Sequence, residues 1–180
     1  MNRQLSAWEE LLKEATSVDY DEMQDAMFRV SLVLERHNYP KKMTEELYEE
    51  YLPRELLRLV LDEKRQADTI DFLVGMVRGR KEDADTFLYA MAKAKPTLIL
   101  EPLLKLYQDF GERWYAEAKL EAVTALDLAL KATGENAAEL LAQYDPSELL
   151  DEWADDPNEE LADKADRVLE KIENLLGTGD

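Results

Sequence analysis

Cysteine is absent from this 180-residue chain, and histidine occurs once, at His37. Without thiolates the chain has no disulfides, no cysteine nucleophile and no Cys-ligated zinc. One histidine cannot supply the two Glu-x-x-His motifs of a ferritin-like di-iron centre. His37 precedes Asn38 and Tyr39 at the end of a helical pattern, where a histidine suits the helix dipole. We therefore predict no catalytic residues and no metal ligands.

Glycine is scarce, with six in the whole chain. The sequence has neither a Gly-x-Gly-x-x-Gly motif nor a P-loop, so nothing in it indicates a nucleotide site. The acid clusters at 19–21, 83–85 and 155–159 lack the glycine and glutamate spacing of an EF-hand. They stand at predicted helix starts, where carboxylates accept hydrogen bonds from free backbone N–H groups. We expect no cofactor, and we interpret the protein as one that is not an enzyme.

Long apolar runs are also missing, because no stretch reaches the 18 or more residues of a membrane span. The first residues lead directly into an acidic amphipathic pattern and lack the apolar core of a signal peptide. We therefore expect no transmembrane helix and a cytoplasmic location.

Acidic residues dominate the composition, with 41 Asp and Glu against 22 Lys and Arg and a net charge of −19. Such a surface repels nucleic-acid phosphates and anionic membranes and attracts basic proteins. The excess is largest at the C-terminal end, where residues 145–180 carry 13 acids and 3 bases. The excess either keeps the protein soluble or attracts a partner. In the second case the composition predicts another protein of basic character, and in both it predicts no direct nucleic-acid or membrane contact.

Apolar residues recur at spacings of three and four along most of the chain, and alternating runs are rare. This pattern predicts an all-α fold. Helices are predicted at roughly 20–37, 66–78, 82–94, 97–109, 112–133 and 158–176. Because no linker divides the chain, we expect a single domain over residues 1–177 and a short frayed tail at 178–180.

Leucine pairs begin at residues 11, 56, 103 and 149, spaced by 45, 47 and 46 residues. The unit from Pro102 to Gly134 has an apolar first helix, an aspartate near the turn and an Ala/Leu-rich second helix. This pattern resembles HEAT and armadillo repeats, whose period is about 40–47 residues. The resemblance implies a short α-solenoid of stacked helix pairs, with second helices near 20–37, 66–78, 112–133 and 158–176. Other leucine pairs, at 140 and 175, fall off the period, so an irregular helical bundle is the alternative.

The resemblance implies non-catalytic protein binding, or scaffolding, by a curved surface built from second helices. The alternative is an acidic inhibitor, such as a bacterial toxin-immunity protein or a nucleic-acid mimic that neutralises a basic enzyme. The oligomeric state is left open. The candidate contacts are acids in the first turns of the last helix and aromatic residues near Gly111, namely Glu159, Glu160, Asp163, Asp166, Trp114 and Tyr115.

Overall fold

The computed structural model describes residues 3–177, and the tail predicted at 178–180 lies outside them. Of the described residues, 81% are helical and none forms a β-strand. The prediction of an all-α fold is confirmed. In this part of the chain, no helix has both the length and the apolar character that crossing a bilayer requires.

Eleven α-helices and three short 3-10 helices make up the described chain. The α-helices are α1 (Arg3–Glu14), α2 (Tyr20–Asn38), α3 (Glu45–Tyr51), α4 (Arg54–Leu57), α5 (Glu63–Gly79), α6 (Ala84–Met91), α7 (Pro96–Phe110), α8 (Ala116–Thr133), α9 (Ala138–Gln143), α10 (Ser147–Ala154) and α11 (Glu159–Leu176). The 3-10 helices are Lys81–Asp83, Gly111–Arg113 and Gly134–Ala137.

Capping residues set the ends of the long helices. The Asp19 side chain accepts a hydrogen bond from the backbone N–H of Glu22 at the start of α2, at 3.1 Å. Asp62 caps α5 in the same way, and Asn158 caps α11. At its other end α11 stops at Gly177, whose φ of 71° lies in the left-handed region that glycine adopts without a steric penalty.

The long helices pack as consecutive pairs: α1 with α2, α5 with α6, α7 with α8, and α10 with α11. The second members of these pairs also contact one another in chain order, α2 on α6, α6 on α8, and α8 on α11. We call α2, α6, α8 and α11 the second-helix layer. Among the first members, α5 packs on α7.

Helix α8 lies at the centre of this packing, against α6, α7 and α11. Its alanines recur at spacings of three and four and are fully buried, at Ala118, Ala122, Ala125 and Ala129. A stripe of small side chains lets neighbouring helices approach closely, and the larger Val123 and Leu126 fill the space beside it. The sequence pattern over 112–133 therefore predicts the central helix well.

The structure differs from the predicted repeat around residue 56. Leu56 and Leu57 lie on the single-turn helix α4, not on the first helix of a pair. Leu59 and Leu61 are buried while Val60 is 71% exposed, an alternation typical of extended chain, so the helix does not continue. Asp62 then caps a new helix. As a result, the helix predicted over 66–78 is the first member of its pair, and α6 is the second.

Leu104 on α7 is completely buried, so Leu104→Ala should lower the free energy of unfolding by about 2–5 kcal/mol. Val60→Ala is the control, because that side chain is exposed and its removal should change stability by no more than about 0.5 kcal/mol. Urea denaturation followed by circular dichroism measures both. Equal effects of the two substitutions would contradict the burial pattern.

Candidate functional site

The four predicted acidic contacts lie exposed on the first two turns of α11. Glu160 forms an ion pair with Lys164, 3.0 Å away. Glu159, Asp163 and Asp166 are spaced by four and three residues, which places them on one face of the helix. Glu170, four residues after Asp166, is exposed on the same face. Three of the predicted acids, Glu159, Asp163 and Asp166, thus form with Glu170 an exposed row that we call the α11 stripe, and Glu160 lies off this row.

Trp114 does not reach the surface, and its prediction as a partner contact is corrected. Only 7% of it is exposed. Its ring centroid lies 5.3 Å from that of Tyr107 on α7 and 6.1 Å from that of Trp153 on α10. Aromatic rings at such distances stabilise a core beyond their buried area. Trp114 thus joins α7 to α10 beside the 3-10 turn at Gly111.

Tyr115 has a structural role at the same turn. Its hydroxyl lies 3.0 Å from the carbonyl oxygen of Glu82 and accepts a hydrogen bond from the backbone N–H of Asp85. It also hydrogen-bonds to the Asp85 carboxylate. Burial and the hydrogen bond with Asp85 raise the pKa of Tyr115 well above its usual range. Tyr115 therefore ties the start of α8 to the start of α6 and holds Asp85 in place.

A cleft of about 260 Å³ opens between α2, α6 and α8, which all belong to the second-helix layer. The Gln24 amide donates a 2.7 Å hydrogen bond to the Thr86 hydroxyl and joins α2 to α6 there. We call this cavity the aromatic–acidic cleft. Its lining residues are Gln24, Met27, Phe28, Asp85, Thr86, Tyr89 and Glu121.

Large aromatic side chains gather at this cleft although they are only partly buried. Phe28 is 42% exposed and Tyr89 is 40% exposed. Tyr51, 45% exposed, packs edge-on against Phe28 with the ring centroids 5.4 Å apart. Single exposed apolar residues are normal on a protein surface, but a cluster of rings beside a cavity is typical of an interaction site.

Glu121 supplies a carboxylate to the cleft from α8, where it is half-buried. Its side chain forms no hydrogen bond and no ion pair within residues 3–177. Burial raises the pKa of Glu121 because it disfavours the charged form. The positive charges of Lys164 and Lys93 oppose this shift, and the negative charges of Asp85 and Glu160 add to it. A carboxylate perturbed in this way beside a cavity is typical of a functional site.

An ion pair that the sequence pattern does not reveal lies beside the cleft. The ammonium of Lys93, just after α6, is 2.9 Å from the Glu35 carboxylate on α2, and both side chains are nearly inaccessible. Lys42 approaches the same carboxylate at 3.3 Å. The Lys93 ammonium also lies 4.6 Å from the centroid of the Tyr89 ring. This pair fixes the position of Tyr89 at the cleft.

A second concavity, of about 160 Å³, lies between α8 and α11 and is lined by cations. Lys131 and Lys171 both pair with Asp127. Burial acts to raise the pKa of Asp127, but the hydrogen bonds from the two lysines outweigh it and lower the pKa. Lys164 donates to the Thr124 hydroxyl at 3.1 Å, and Arg167 donates to a backbone carbonyl. These cations already have partners. The contacts of Lys164 and Lys171 across the groove hold α11 against α8.

Residues 3–177 contain no group of three or more His, Asp or Glu side chains placed to hold a metal ion. Comparison with known proteins finds no match: no family model fits the sequence, and no characterised protein or solved structure matches the chain. The functional interpretation therefore depends on the geometry of the cleft and on the charge of the chain.

Glu121→Gln should raise the free energy of unfolding at neutral pH, because it removes a charge that burial disfavours. The raised pKa makes the folded state hold the Glu121 proton more tightly than the unfolded state does. The stability contributed by the protonated form is lost as the pH rises through that pKa. In urea titrations, the advantage of Glu121→Gln over the native chain should therefore grow as the pH rises from the ordinary glutamate pKa through the raised pKa, and level off above it.

The control is Glu159→Gln, which removes an exposed acid on α11. Its effect on stability should be small, because the side chain is exposed. A Glu121→Gln variant less stable than Glu159→Gln at pH 7 would show that the Glu121 carboxylate stabilises the fold.

Proposed function

We propose that this chain is a non-catalytic protein-binding module with a HEAT/armadillo-like arrangement, and that it binds a partner protein at the aromatic–acidic cleft. The observation that carries the proposal is the cleft itself. There, part-exposed aromatic rings meet a half-buried carboxylate, Glu121, that has no hydrogen-bond or ion-pair partner among residues 3–177.

The order of helix contacts supports the HEAT/armadillo-like part of the proposal. Second helices that touch one another in chain order are expected when helix pairs stack and share one continuous core. Stacked arrays of this kind use an extended concave surface for binding. The cleft spans three successive second helices, α2, α6 and α8, so a ligand there would contact several units at once.

The side chains at the cleft suit protein recognition. Aromatic residues dominate the binding energy of many interfaces, because they bury a large area and lose little conformational freedom. Phe28, Tyr51 and Tyr89 meet this description in a chain whose other aromatics include the buried Trp114 and Trp153.

The chemistry of the cleft supports binding over catalysis. A hydrolytic site needs a nucleophile beside a general base that a third group orients. Of the two carboxylates in the cleft, Asp85 is already engaged by Tyr115, and Glu121 stands without a hydrogen-bonded neighbour among residues 3–177. The net charge of −19 favours a partner with a basic surface, since complementary fields raise association rates.

An acidic inhibitor of a basic enzyme is the second candidate function, and the stripe on α11 favours it. Glu159, Asp163, Asp166 and Glu170 present four exposed carboxylates along one face. Such a row would pair with a basic surface in the way that a toxin-immunity protein or a nucleic-acid mimic does. Binding at this stripe would weaken with added salt, because ions screen exposed charges.

Quantitative capture from the host lysate separates these functions when variants are compared side by side. The native chain, Tyr89→Ala and the control Tyr20→Ala, which removes an exposed ring outside the cleft lining, serve as baits. We expect at least one host protein to be retained by the native chain and by Tyr20→Ala. Its retention by Tyr89→Ala should fall about tenfold or more, as for a hot-spot residue.

A fourth bait reverses three charges of the stripe, with Glu159→Lys, Asp163→Lys and Asp166→Lys. Loss of the captured protein from this bait alone would favour the inhibitor function and the α11 stripe. Identical retention by all four baits would contradict binding at either surface.

A further inference from the structure

The occupant of the aromatic–acidic cleft can be specified by its chemistry. We propose that the cleft binds a lysine or arginine side chain of the partner protein, with the Glu121 carboxylate as its counter-ion and the Tyr89 and Phe28 rings around its stem. This inference rests on the proposed function and names what the cleft recognises.

Glu121 provides the first reason. A half-buried carboxylate loses hydration, and the loss is offset when a charged donor binds to it. Residues 3–177 offer Glu121 no such donor within hydrogen-bond or ion-pair distance. An apolar side chain in the cleft would bury Glu121 further without a partner, and an anion would be repelled by Glu121 and Asp85 together. A cationic side chain is the occupant that satisfies the carboxylate.

The rings provide the second reason. A cation over an aromatic face is attracted by the ring quadrupole, more strongly when both are shielded from water. The chain already contains this arrangement beside the cleft: the Lys93 ammonium lies 4.6 Å from the Tyr89 centroid and 2.9 Å from the Glu35 carboxylate. A partner side chain between the rings and Glu121 would repeat the same combination of aromatic ring, cation and partly buried carboxylate.

The dimensions of the cleft agree with a single side chain. Its volume of about 260 Å³ lies just below the range of about 300–1,000 Å³ of sites for drug-sized ligands. Long aliphatic stems of lysine and arginine bury well against apolar surface while their charged ends stay paired. Phe28, which is 42% exposed, lines the cleft and supplies such surface, whereas the neighbouring Met27 is buried.

The test uses small probes and the full chain labelled with ¹⁵N. N-acetyl-arginine methylamide and N-acetyl-lysine methylamide are titrated against the native protein, and amide shifts are followed by NMR. N-acetyl-citrulline methylamide is the control ligand, since it has nearly the shape of arginine without the charge. The cationic probes should bind with a millimolar Kd and shift the amides of Phe28, Tyr89 and Glu121, whereas citrulline should bind at least fivefold more weakly.

Matched variants assign the recognition to one carboxylate. Glu121→Gln should weaken arginine binding at least fivefold and leave the weak citrulline binding unchanged. Glu159→Gln should bind arginine like the native protein. Equal binding of citrulline and arginine, unchanged affinity in Glu121→Gln, or shifts confined to α11 would each overturn the inference.

The two proposals fail in different ways. If the cationic probes do not bind but Tyr89→Ala still loses a captured protein, the cleft binds a partner through other side chains, and only the cation inference is wrong. If arginine binds and capture does not depend on Tyr89, the cation site stands and the proposed protein-binding function is wrong.

Discussion

Close packing around the alanine stripe of α8 is the constraint on which the rest of the structure depends. Because Ala118, Ala122, Ala125 and Ala129 have minimal side chains, α6, α7 and α11 can all lie against one helix. The same packing draws Glu121, next to Ala122, partly out of water. The cleft is thus a consequence of how the core is built: α6 packs on both α8 and α2, and these three helices form its walls.

The charged side chains on and beside the second-helix layer differ in whether they have an ion-pair partner. The Lys93–Glu35 pair lies beside Tyr89 of the cleft, and breaking it would leave a nearly buried charge without a partner. In the second concavity, Asp127 pairs with Lys131 and Lys171 between α8 and α11. The Glu121 carboxylate, by contrast, has no ion-pair partner among residues 3–177. Keeping this charge partly buried destabilises the folded state, and natural proteins retain such destabilising features at functional sites.

The helices can be predicted from the sequence because the three-to-four spacing of apolar residues is a property of each local segment. The predicted helices at 112–133 and 158–176 correspond closely to α8 and α11. The burial of Trp114 does not follow from the sequence, because the residue lies directly after a 3-10 turn between two helices and no periodicity shows which way its side chain points. The ion pair between Glu35 and Lys93 joins residues that are 58 positions apart in the chain, so no local sequence pattern predicts it.

The cleft itself could not be derived from local patterns for a related reason. Phe28, Tyr89 and Glu121 come from three helices, and each occupies an ordinary position in its own amphipathic pattern. Only the stacking of α2, α6 and α8 brings them together. The acids of the α11 stripe, by contrast, are neighbours on one helix, and their clustering is visible in the sequence.

Site-specific photo-crosslinking in the native host tests the central claim most directly. A photoreactive p-benzoylphenylalanine is placed at Tyr89 in the cleft or at Asp166 on the α11 stripe, and the cross-linked peptides are identified by mass spectrometry. Binding at the cleft predicts one partner protein cross-linked from position 89, through a segment that contains a lysine or arginine beside the attachment point. Cross-links from position 166 alone would contradict it and place the interface on α11.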